Sequence, residues 1–229
     1  MRWYVSMRAR LGLALLAASL AGVGLFFVDA LRNHNLNFVY LIWNLFLGWL
    51  PLVFALWLER ILRRKLWSSW QAIGVTLLWL AFLPNSFYII TDYIHLQDYL
   101  RVDPVFDIIV FSEFILTGFT LGLLSLYLVH QQLRQRLRGR SSTWMLALVI
   151  FSTSFAIYIG RDLRWNTWDV LLNPASLLFD ISDRLLHPWE HPEMFTSTLG
   201  FFVLISTMYA VAWHASHAAK RQPHVKLGE

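Results

Sequence analysis

The chain contains no cysteine. That removes disulfides, thiolate nucleophiles, iron–sulfur clusters and zinc–thiolate sites together. Charge is the next scarcity. Asp, Glu, Lys and Arg make up 14% of the 229 residues, against roughly 25% in a soluble domain whose surface must stay in water. Hydrophobic residues reach 57% and the mean hydropathy is +0.51. So few charges cannot cover a globule, so lipid must form part of the solvent, and disorder, coiled coil and a secreted disulfide scaffold are excluded. There is no Walker loop or dinucleotide fingerprint, which argues against nucleotide-driven transport by this chain. A Gly-x-Ser-x-Gly elbow and a His-Glu-x-x-His pair are also missing, which argues against serine and zinc proteases. A membrane haem needs histidines facing each other inside spans, whereas His130 and His214 fall at span ends. The sequence calls for no cofactor and no metal.

What the chain has is long apolar runs. Six of them occupy 11–28, 38–58, 71–91, 105–129, 144–160 and 196–213. About 20 residues of helix cross a hydrocarbon core, and inside it only helices or closed barrels satisfy the backbone. The expectation is an all-α polytopic bundle of six transmembrane helices, with residues 1–229 as one integral membrane domain. The first run competes with a secretory signal peptide. Signal cores are about 7–15 residues long, and the 11–28 run exceeds that, so it is read as a retained helix.

The net charge of +5 and pI near 9.7 would suit nucleic acid if the basic residues formed one patch. They do not. Arg2, Arg8, Arg10, Arg60, Arg63, Arg64, Lys65, Arg134, Arg136, Arg138, Arg140, Lys220, Arg221 and Lys226 occupy alternate connections and both termini. Only Arg32, Arg101, Arg161, Arg164 and Arg184 lie in the others. The positive-inside rule puts both termini in the cytoplasm, and no nucleic-acid partner is expected.

Within the spans, Pro51 and Pro84 are expected to kink helices two and three. Gly118, Gly122 and Ser125 offer a face where a neighbouring backbone can approach closely. On the outer side, Asn173-Pro174 reads as a helix start. Leu177, Leu178, Ile181 and Leu185 then recur at helical spacing, predicting an amphipathic interfacial helix over 174–186.

Polar residues are costly in a membrane, so their placement is informative. They gather at the outer ends of helices three, four and five: the Leu83-to-Leu96 run, Asp107 and Glu113, and the Gly160-to-Asp169 run. These two runs, with Trp43-Asn44-Leu45-Phe46-Leu47-Gly48-Trp49-Leu50-Pro51, resemble the signature blocks of the bacterial membrane-protein family called domain of unknown function 1361. The resemblance extends from about Asn37 to Met208. It implies a multi-pass protein of the bacterial inner membrane and brings no activity or catalytic residue.

The chemistry is therefore read from the residues. Glu113 lies roughly 12 Å into the fourth span at 1.5 Å per residue, with Thr117 and Thr120 continuing its face. It reads either as a proton- or substrate-handling group or as the partner of Arg161 or Arg164 in a structural ion pair. Asp92 and His95, with Asp98 a turn beyond, could form an acid–base pair, hold a divalent metal or simply be solvated. His187 and His191 have ligand spacing, but Pro188 and Pro192 interrupt the helix this would need. Arg161, Arg164 and Asn166 suit a phosphate or carboxylate, or else neutralise nearby acids. Trp165 and Trp168 could support an acyl chain or sugar, or sit in an aromatic belt. The expected ligand site comprises Asn85, Asp92, His95, Asp107, Glu113, Arg161, Arg164, Trp165, Asn166 and Asp169. It would face outward and handle a small solute or lipid, as in a transporter or flippase. The alternatives are an intramembrane enzyme acting on a lipid-linked substrate and a structural or assembly subunit of a membrane complex. Membrane lipids are expected partners, together with an anionic or amphipathic small ligand. The sequence points to no protein partner.

Overall fold

A computed structural model describes residues 2–97, 103–165 and 172–221. Among the described residues seven α-helices follow one another: α1 (Arg2–Asn33), α2 (Tyr40–Leu62), α3 (Trp70–Tyr88), α4 (Pro104–Arg136), α5 (Gly139–Asp162), α6 (Pro174–Leu186) and α7 (Pro192–Arg221). A 3₁₀ helix, Ile89–Gln97, extends α3, and a shorter one, Pro188–Glu190, joins α6 to α7. Six helices are long and apolar enough to cross a membrane, with spans at Ala9–Asn33, Tyr40–Leu62, Trp70–Leu96, Pro104–Arg136, Gly139–Asp162 and Pro192–Ala218. Five of the six apolar runs lie within one of these spans, and the second, 38–58, begins two residues before its helix. Leu20, Leu31, Leu77, Leu116 and Val211 remain exposed on the outside of the bundle. So extended an apolar surface is tolerable in lipid and a liability in water.

Helix α4 is the centre of the packing and touches α1, α2, α3, α5 and α7. Its Val110, Phe111, Phe114, Leu121 and Leu126 are fully buried. Small residues permit this crowding. A Cβ on Gly122 would lie 2.6 Å from Phe87 Cζ and 2.8 Å from Ser86 Cβ, and one on Gly118 would lie 3.0 Å from Ile89 Cγ2. Where α2, α3 and α4 meet, Ser86 Oγ donates to the Gly48 carbonyl at 2.9 Å. Ser125 continues the small face and accepts a 2.6 Å hydrogen bond from the buried Trp79 indole. Helices α2 and α3 run through Pro51 and Pro84.

Local signals fix the helix starts. Ser69 accepts from Ala72 N at α3. Asp103 accepts from Phe106 N at 3.1 Å, with Pro104 in the first turn of α4. The 174–186 segment is the helix expected from its pattern, although Asn173 makes no side-chain cap bond there. None of its residues is buried, and Leu178, Phe179 and Leu185 are exposed. Two hydrogen bonds tie it to the end of α5: Trp165 Nε1 donates to Asp180 Oδ2 at 2.8 Å, and Arg184 Nε donates to Tyr158 Oη at 3.2 Å. Six alternating spans bring the start of α1 and the end of α7 to one end of the bundle, called terminal below. The opposite, distal end carries the 3₁₀ segment, α6, and Asp92, His95, Asp107 and Arg161.

Candidate functional site

At the distal end, the extension of α3 changes from α-helical to 3₁₀ geometry at Ile89. Three residues per turn stack positions i and i+3, so Asp92 and His95 share one face. Asp92 is only 3% exposed, and its Oδ2 accepts a 2.8 Å hydrogen bond from Asn44 Nδ2 on α2. The His95 ring meets the Tyr40 ring edge-on at 5.4 Å. Asp107, one turn into α4, is buried as well. Asn85 donates to the Phe82 carbonyl at 3.1 Å, which turns its amide toward its own helix.

Glu113 lies elsewhere on α4. Its Cγ would be 3.4 Å from a Cβ on Gly22, so the side chain packs against α1. Thr120 donates to the Leu116 carbonyl at 2.7 Å and is exposed, whereas Thr117 is buried. Arg161 instead lines a groove between the end of α5 and the first turns of α7. Among the described residues no ion pair joins Glu113 to Arg161 or Arg164. The two signs sit on different helix faces, which sequence spacing alone could not reveal.

Arg164 and Trp165 have local tasks. Arg164 takes φ of 58° immediately after α5, the left-handed conformation that usually falls to glycine at a helix end. This reversal accompanies the return of Trp165 N–H to the Ile159 carbonyl at 3.5 Å. The Trp165 indole N–H is already bonded to Asp180. Asn166 and Asp169, like Asp98 and Trp168, lie outside the described residues.

His187 and His191 face a shared carboxylate. His187 Nδ1 is 3.1 Å from Asp183 Oδ1, and His191 Nε2 is 3.4 Å from Asp183 Oδ2. His191 Nδ1 also approaches Glu193 Oε1 at 3.4 Å. Among the described residues no three His, Asp or Glu side chains converge as metal ligands.

Sequence reasoning missed several polar groups. Asn44 enters the sequence reading only within the Trp43-to-Pro51 block, yet a polar residue inside an apolar run is the signal for the Asp92 pair. Asp29 is buried near the distal end of α1, with Asn33 Nδ2 on its Oδ1 at 2.8 Å. At the terminal end His130 is buried on α4, its Nδ1 2.7 Å from Tyr209 Oη and its ring 4.7 Å from that of Trp213.

Among known proteins, the family model described as "Protein of unknown function (DUF1361)" matches residues 43–208. No curated protein and no solved structure matches the chain.

Proposed function

The chain belongs to the DUF1361 family of bacterial integral membrane proteins, which supplies a fold and no chemistry, and from its own residues we propose a transporter or flippase. In this reading the protein sits in the bacterial inner membrane with both termini cytoplasmic, and its distal end handles a small solute or amphipathic lipid reached from the outer side. The observation that carries it is the buried Asp92 carboxylate held by Asn44. Desolvating a carboxylate inside a membrane bundle is expensive, and such groups mark substrate or proton pathways by default.

Asn44 orients the carboxylate, and His95 stands one 3₁₀ turn away on the same face. Asn85, Asp107, Arg161, Arg164, Trp165, Asn166 and Asp169 are proposed as the rest of the distal polar site, with Glu113 set apart against α1. Within it, the guanidinium of Arg161 is the group suited to an anion.

The test is reconstitution into liposomes carrying fluorescent lipid analogues or entrapped pH dye. Wild-type protein should move lipid or protons faster than protein-free vesicles. Asp92→Asn, which keeps the shape and can still meet Asn44, should fold normally and lose that movement. Movement by Asp92→Asn at the wild-type rate would refute the role of the carboxylate.

A further inference from the structure

The groove between α5 and α7 has a volume of about 460 Å³ and changes character along its length. At its distal end lie Arg161, Thr196 and Ser197 beside Ile90, and further along α7 come Gly200, Phe201 and Leu204. Seven residues of helix separate Ser197 from Leu204, which is roughly 10 Å at 1.5 Å per residue. A cationic mouth above an apolar floor repeats the polarity of a lipid, headgroup first and acyl chain below. Gly200 is exposed, and a Cβ there would meet nothing within 4 Å, so α7 presents an open surface at that point. The Thr196 hydroxyl is occupied by the Pro192 and Glu193 carbonyls. Among the described residues Arg161 makes no ion pair, and Ser197 has no hydrogen-bond partner.

The rim carries the opposite sign. Asp162 is adjacent to Arg161 and within electrostatic reach of both Arg161 and Glu193. Glu193 stands three and four residues before Thr196 and Ser197, on the same helix face. A purely anionic headgroup would meet two carboxylates, and a free phosphate would leave the apolar floor unused. We propose that this groove seats one membrane phospholipid with a zwitterionic, primary-ammonium headgroup. Its phosphate takes the Arg161 guanidinium and Ser197 hydroxyl, its ammonium faces Asp162 and Glu193, and an acyl chain lies over Gly200, Phe201 and Leu204. This names a ligand class for the reading above and rests on it only in taking the distal end as the ligand-handling end.

Native mass spectrometry and thermal unfolding of the full chain in detergent, with added phosphatidylethanolamine, phosphatidylglycerol or inorganic phosphate, test the site. Phosphatidylethanolamine should be retained as a single adduct and stabilise most. Arg161→Gln should weaken it about tenfold or more, the scale of one lost charge-assisted hydrogen bond. Gly200→Leu, which fills the floor, should abolish the adduct, while Gly24→Leu, in open space on α1, should leave it unchanged. Equal retention by Arg161→Gln and Gly200→Leu would overturn the proposal. So would phosphatidylglycerol or inorganic phosphate stabilising as strongly as phosphatidylethanolamine. The liposome assay is a separate readout: lipid bound while neither lipid nor protons move defeats the transport reading and leaves this site standing. Asp92-dependent movement with undiminished binding by Arg161→Gln defeats the site and leaves transport.

Discussion

At the scale of single residues, the distal end separates groups held for structure from groups held at a cost. Arg164 is in the first class: its left-handed backbone costs about 1–2 kcal/mol in a residue with a Cβ. Arg164→Gly should therefore raise thermal stability, by about 1 kcal/mol or less once the greater freedom of the unfolded glycine is counted. A loss of stability would show that the guanidinium itself holds the turn. Asp103 is also structural. Its carboxylate accepts from the Phe106 backbone N–H and pairs with Arg32 at 3.1 Å, which holds its pKa below the ordinary carboxylate value. A group depressed in the folded state stabilises fully above its unfolded pKa, roughly 3.9. That contribution is lost as pH falls through the lower folded value. The Tm gap between wild type and Asp103→Ala should thus be constant from pH 7 to pH 5 and narrow in stronger acid. A gap that widened on acidification would contradict this account. Asp92 belongs to the second class, because its burial on Asn44 relieves no backbone strain and caps no helix.

At the scale of elements, the junction of α2, α3 and α4 works because three side chains are nearly absent. Replacing an exposed helical glycine by alanine stabilises by about 1 kcal/mol. Gly74, where an added Cβ meets nothing within 4 Å, should follow that rule. Gly122 should reverse it. A methyl 2.6 Å from Phe87 Cζ and 2.8 Å from Ser86 Cβ meets two fully buried residues that have nowhere to go, and overpacking of this kind costs about 1–3 kcal/mol. Gly118, with 3.0 Å to the Ile89 side chain, should fall between them. Thermal unfolding of the three alanine variants in one detergent checks the order. A stabilised Gly122→Ala would mean that α3 and α4 do not pack this closely. Helix α6 shows the complementary case, since hydrogen bonds at Asp180 and Arg184, not burial, attach it to α5.

At the scale of the whole molecule, the proposed orientation rests on charge: 14 of the 19 basic residues fall near the two termini and in alternate connections of the sequence. Reporter fusions after Lys65, Gly139 and Glu229 should read cytoplasmic, and those after Asn33, Leu100 and His187 external. A cytoplasmic reading at His187 would remove the six-span arrangement. The number of spans and the helix over 174–186 were legible in the sequence because both are local. Hydropathy over about 20 residues and a 3.6-residue period depend on neighbours along the chain. The polar site was only half legible. Sequence fixed which residues are costly in lipid and at which end of a span they lie, so Asp92, His95, Asp107 and Arg161 could be named. It could not say which helix faces meet, because rotation about each axis is set by packing against other helices. Tertiary structure therefore decided that Asp92 takes Asn44, that Glu113 turns to Gly22 on α1, and that Arg161 opens onto α7.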